Sequence, residues 1–234
     1  QKPVEKIEKQ EINQDFFIKV DEEPITQRSF WMHEGDKRTH CISVGTPQKT
    51  HYTFDLETGS LLQVWSGDFM DATKMWLSRG EKQLGEPIGF IVSLHGDPEF
   101  ALLESEDSTW PDNSTKNPQF KQGGYEFDAH GIPTFIYQLY DGTVTNSIIP
   151  SDKERVLTRL ISVDSSKLLW YKIAEGEDIQ KLPDGTFIVN NESYYIDFDG
   201  NSSLAPKIRN IQGKDELLVK VPAGKQDIKY NITW

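Results

Sequence analysis

Residues 51–80, HYTFDLETGSLLQVWSGDFMDATKMWLSRG, decide how the rest of the chain is read. Tyr52 and Phe54 lead into Glu57-Thr58-Gly59-Ser60, and Leu61, Leu62 and Val64 follow. That pattern predicts strand, tight turn, strand, with the glycine free to take a positive φ. The second strand is expected to end at Trp65, where Gly67 lets the chain break away. Asp71 then predicts an N-cap for a short helical turn, Ala72 to Ser78, stopped by Gly80.

On both sides of this stretch, short apolar runs alternate with Gly, Asp and Pro. Phe16 to Val20, Ile25 to Trp31 and Thr39 to Val44 come before it. After it come Ile88 to Leu94, Tyr125 to Phe127, Thr134 to Leu139 and Val144 to Ile149. Arg155 to Val163 reads either as a short amphipathic helix or as a strand; its β-branched content and the turn at Asp164-Ser165-Ser166 favour the strand. Lys167 to Ile173, Thr186 to Val189, Tyr194 to Phe198, Leu217 to Val221 and Ile228 to Trp234 continue the series. The expected fold is therefore all-β: a large antiparallel two-sheet β-sandwich with at most one or two short helical turns. Residues 1–14 are charged and poor in aromatics, which predicts a flexible leader or tether ahead of a single domain over 15–234. Residues 96–119 are polar and long for a loop, with Trp110 at the centre.

Composition narrows the function. The chain has 234 residues, a net charge of −12 and a pI near 4.9, which disfavours nucleic acid and anionic membrane as partners. No run of eighteen apolar residues occurs, so no membrane span is expected. The one cysteine, Cys41, excludes an internal disulfide and reads as a small buried apolar residue. The sequence has no Cys-x-x-Cys-His, P-loop, dinucleotide fingerprint or Gly-x-Ser-x-Gly, and no cofactor is expected. The histidines lack metal-ligand spacing, and no metal site is expected; Asp197, Asp199 and Asn201 in DFDGN only half match a calcium loop.

Three groups of residues carry candidate chemistry. Trp65, Trp76 and Trp110 are candidates for a platform on which a pyranose ring stacks; the alternative for Trp65 and Trp76 is the core, whereas Trp110, on the polar loop, is the aromatic expected to be exposed. Asp68, Asp71 and Arg79 form either a salt bridge and cap or a set of ligands for vicinal hydroxyls. Glu126 and His130 are the leading acid–base pair, with Asp128 beside them and His95 with Glu86 behind. Asp68 with Glu126 or Asp128 is the carboxylate pair that glycoside hydrolysis would need, although 37 acidic residues make chance pairs plentiful.

The collinear order of motifs resembles an uncharacterised bacterial region that accompanies c-type cytochrome and sugar-dehydrogenase-like modules in large exported proteins. The resemblance rests on Val44-Gly45-Thr46-Pro47, Tyr52 to Asp55, Leu61 to Asp71, Trp76 to Gly80, Leu84-Gly85 and Gly124 to Phe135, and covers about Pro24 to Asp197. It implies export to the periplasm or beyond and a link to carbohydrate or redox metabolism. The second half is also similar to the large sandwiches of the galactose-mutarotase-like group, an analogy of fold. The resulting expectation is an exported, non-catalytic carbohydrate-associated binding or accessory domain, with a carbohydrate or small neutral ligand and a periplasmic protein as partners. A carbohydrate-active enzyme using carboxylate and His is the first alternative, and a structural partner of a periplasmic oxidoreductase is the second.

Overall fold

A computed structural model describes residues 16–76, 83–111, 117, 119–152, 155–198 and 205–234. The expected leader over 1–14, Arg79, and the Asp199 and Asn201 of the half-matched calcium loop lie outside these residues. Strand dominates, and every strand pair is antiparallel. The one described α-helix, α1, spans Thr73–Trp76. No described helix is long and apolar enough to cross a membrane.

The first sheet contains β1 (Phe17–Ile18), β2 (Ile25–His33), β3 (Asp36–Gly45), β4 (Thr50–Asp55), β5 (Ser60–Asp71) and β6 (Glu86–Ser93). β5 is its hub, with β4 on one side, β6 on the other and β1 beside its far end. The β4–β5 hairpin turns where the sequence predicts. Gly59 sits at φ +70°, and the Asp55 carboxylate accepts the Glu57 N–H at 2.8 Å.

The chain then passes through β7 (Phe100–Ala101) into β8 (Phe120–Phe127), β9 (Pro133–Leu139), β10 (Gly142–Pro150) and β11 (Val156–Ser165). It continues through β12 (Leu169–Gly176), β13 (Ile179–Lys181), β14 (Phe187–Val189), β15 (Tyr194–Asp197), β16 (Lys207–Ile211), β17 (Lys214–Val221) and β18 (Gly224–Thr233). An eight-stranded sheet runs β13-β14-β15-β18-β11-β10-β9-β8, and a four-stranded sheet runs β16-β17-β12-β7.

The fold is an all-β sandwich whose second layer is divided. Phe54 of β4 stacks on Phe135 of β9 with ring centroids 4.1 Å apart, so the six-stranded sheet faces the eight-stranded one. Tyr171 of β12 shares a 2.7 Å hydrogen bond with Tyr230 of β18, so the four-stranded sheet faces the same layer farther along. The connection between β6 and β7 hydrogen-bonds to both smaller sheets, through Leu94 N–H to Leu62 and Glu99 C=O from Lys172 N–H. Three sheets thus replace the two expected, because this connection interrupts one layer.

Alternation explains the core. Phe135, Tyr137 and Leu139 of β9, Val144 and Ile148 of β10, and Ile228, Tyr230 and Ile232 of β18 all point into it. β4 is buried at every position. Tyr52 and Phe54 enter the main core, while a second cluster of Trp31, Cys41, Leu62, Trp65, Phe69 and Met70 forms apart from it, under Ile18, Val20, Ile25 and Met75. β4 is covered on both faces, so its polar residues are buried as well and are paired: the Thr53 hydroxyl with that of Ser43 at 2.9 Å, His51 with the Thr46 N–H at 3.0 Å, and Asp55 with Arg38 at 3.3 Å.

Two expectations need correction. β5 does not end at Trp65 but continues to Asp71, and Gly67 keeps the ladder by pairing with Gly89 of β6. A Cβ on Gly89 would lie 2.0 Å from the Ser66 carbonyl oxygen, so this close approach requires glycine. The long polar stretch after Gly96 contains β7, and its Trp110 packs with Ala101, Trp170 and Leu218 in a third cluster. Arg155 to Val163 is strand, as its β-branched residues predict.

Candidate functional site

The predicted residues separate into three environments. Trp65 is fully buried; its ring lies parallel to Phe69 at 5.9 Å, and its indole N–H donates to the Phe69 carbonyl at 3.0 Å. Trp110, the aromatic that the polar loop seemed to offer to solvent, is only 7% exposed. Its indole N–H donates to the Pro98 carbonyl at 2.8 Å, and the buried Lys172 ammonium sits 5.1 Å from the ring. Neither indole can serve as a stacking platform, because the third cluster needs the Trp110 ring as its cover. Trp76 differs: it is 53% exposed, and its ring is held edge-on by Phe16 at 5.6 Å.

The acids are mostly structural. Asp71 caps α1, accepting the Thr73 N–H at 2.8 Å. Asp128 holds the β8–β9 turn by accepting the N–H groups of His130 and Ile132 at 2.8 and 2.9 Å. Glu126 and His130 are exposed near that turn, and Asp68 is exposed at the irregularity in β5. Glu86 pairs with Lys74 at the start of β6, whereas His95 lies just beyond its other end. The eight residues of β6 set those ends roughly 25 Å apart, so Glu86 and His95 do not form an acid–base pair.

Two hollows are built from other residues. The first, about 360 Å³, is lined by side chains of β2, β3 and β8 together with α1. Arg28, Thr39 and His40 line it with Gln83 and Gln122, Trp76 stands among them, and Ser29, Phe30, Cys41, Leu56 and Met75 are the other described lining residues. Ser29 is 6% exposed, and its hydroxyl has no hydrogen-bond partner among the described residues. Burial, with Asp55 nearby, raises the Cys41 thiol well above its ordinary range, so the sulfur stays protonated and un-nucleophilic. His40 Nδ1 lies 3.2 Å from the Glu57 carboxylate, which steadies the ring from outside the hollow.

The second hollow, about 390 Å³, gathers Glu34, His95, Glu175, Asp178, Asn190, Asn191 and Lys214 at one end of the sandwich. Its charges are largely mutually engaged. Lys172, fully buried, contacts Asp97 and Glu175, and Lys214 contacts Glu175 at 2.7 Å. Burial, followed by the Lys172 and Arg159 cations, holds His95 well below the ordinary imidazole range. Asp68, Glu126, Asp128 and His130 line neither hollow. Among the described residues, no group of three or more His, Cys, Asp or Glu side chains is arranged to hold a metal ion.

Among the described residues, Trp76 is thus the one sequence-selected ligand residue found in a hollow, and its companions Arg28, His40 and Gln122 were missed. No spacing marks them, since Arg28 and Gln122 meet only because β8 comes to lie beside β2 and β3 in space. Also missed was the pair at the centre of the sandwich, where Arg159 donates from Nη1 and Nη2 to Glu99 at 2.7 and 3.0 Å. No protein-family model and no curated protein matches the chain.

Proposed function

We propose that the protein is a carbohydrate-binding or accessory domain without catalytic activity of its own, exported to the periplasm or beyond, and that the hollow beside Trp76 receives the sugar. The exposed Trp76 indole on a half-open hollow carries this reading. An indole offers the flat apolar face that the C–H side of a pyranose covers. The side-chain amides of Gln83 and Gln122 and the hydroxyl of Thr39 supply paired donors and acceptors for sugar hydroxyls. The volume falls within the range of about 300–1,000 Å³ usual for small-molecule sites.

No carboxylate is found among the described lining residues, whereas acid–base cleavage of a glycoside needs two. That favours binding over hydrolysis at this position. Glycan-array screening of the folded protein, followed by calorimetry on the hits, tests the reading. Trp76→Ala is expected to weaken binding at least tenfold with the fold intact. Absence of affinity for every saccharide, or unchanged affinity in Trp76→Ala, would remove it.

A further inference from the structure

We infer that the sugar taken up beside Trp76 carries a carboxylate, so that the ligand is a uronate-containing saccharide clamped by Arg28. This inference rests on the carbohydrate-binding reading of that hollow. The chain as a whole is acidic, with a formal charge of −12, yet the described lining of this hollow contains no Asp or Glu. Among the described lining residues the permanent charge is the Arg28 guanidinium.

Arg28 is exposed, and no described side chain engages its guanidinium. The neighbouring cations are placed otherwise. Arg38 is committed to the buried Asp55 carboxylate at 3.3 Å, and the Lys37 ammonium lies 4.5 Å from the ring of Phe30, itself part of the lining. A planar guanidinium with free donors matches a carboxylate bidentately, which an ammonium cannot do.

In the same lining, the buried Ser29 hydroxyl has no partner among the described residues. A buried hydroxyl left unpaired costs free energy that a ligand hydroxyl would recover. Each part of a uronate ring therefore has a counterpart: Arg28 for the carboxylate, Ser29 and the glutamines for hydroxyls, and Trp76 for the ring face. A neutral hexose would leave the guanidinium unanswered, and a simple carboxylic acid would leave the indole uncovered.

The test compares glucuronate- and galacturonate-terminated oligosaccharides with their glucose and galactose counterparts by calorimetry. The uronates are expected to bind at least tenfold more tightly. Arg28→Gln should erase that difference, and Arg28→Lys should restore part of it. Trp76→Ala should weaken both series together. Equal affinity for uronate and neutral sugars, or a uronate preference that survives Arg28→Gln, overturns the inference and leaves the carbohydrate-binding reading standing. Absence of affinity for either series overturns both.

Discussion

The Glu99–Arg159 pair offers the sharpest test of how this sandwich is held together. Both side chains are 2% exposed, on an inward-facing position of β11 and on the connection into β7. Glu99 accepts two bonds from Arg159 and one from the Leu61 N–H at 3.0 Å, and Arg159 also donates to Tyr230 at 3.1 Å. The carboxylate therefore ties together residues from two layers. Replacing Arg159 with Met would leave an ionised carboxylate in the core, held by one amide N–H and a long contact to Asn146 at 3.5 Å.

Breaking a buried pair from one side costs about 3–5 kcal/mol, and Glu99→Met should cost a similar amount. At about 2–4 °C per kcal/mol for a domain of this size, each single variant should melt roughly 6–20 °C lower. The double variant removes both charges and fills the space with apolar atoms. Its remaining penalty is the orphaned Leu61 N–H, worth about 1–3 kcal/mol. Urea unfolding followed by tryptophan fluorescence would measure all four corners of the cycle. A single-variant cost below about 1 kcal/mol, or a double variant as unstable as the sum of the singles, would refute the argument.

Two further outcomes follow from the same geometry. Burial lowers the pKa of His33, His51 and His95, and His51 is fixed as the neutral tautomer, accepting the Thr46 N–H at Nδ1 and contacting the Gly67 carbonyl through Nε2. Each of these groups is neutral in the fold, so its contribution is complete above pH ~6.5 and is lost as pH falls through the depressed value. The unfolding free energy from urea titrations should drop on acidification from pH 7 to 5, by up to about 1.4 kcal/mol per pH unit for each proton taken up on unfolding; a flat profile would contradict this. Among the tryptophans, Trp110→Ala should cost about 3–5 kcal/mol because its ring covers a buried cluster. Trp76→Ala should stay within about 1 kcal/mol, and acrylamide quenching should find the Trp76 indole accessible and the Trp110 indole shielded.

The strands were legible where one residue type leaves the backbone little choice. Gly59 announces the β4–β5 turn, and the β-branched run at 156–163 settles strand over helix. Other elements escaped. β16 joins β17 through a turn at Gln212 and Gly213, both at positive φ, but it has no buried position to give it an apolar face. Gly67 read as a break because glycine is ambiguous in a strand; its role emerges only beside Gly89 on the neighbouring strand. Trp110 was misplaced because a polar loop can still deliver one indole onto a sheet.

Period-two patterning and turn chemistry together determined the all-β class, since these depend on residues close in sequence. Tertiary structure alone decided which side chains share a space. It divided one layer of the sandwich, buried Trp65 and Trp110, left Trp76 in the open, and set Arg28, His40 and Gln122 around one hollow. Such proximity comes from strand pairing and layer packing across many tens of residues, and linear spacing carries no trace of it.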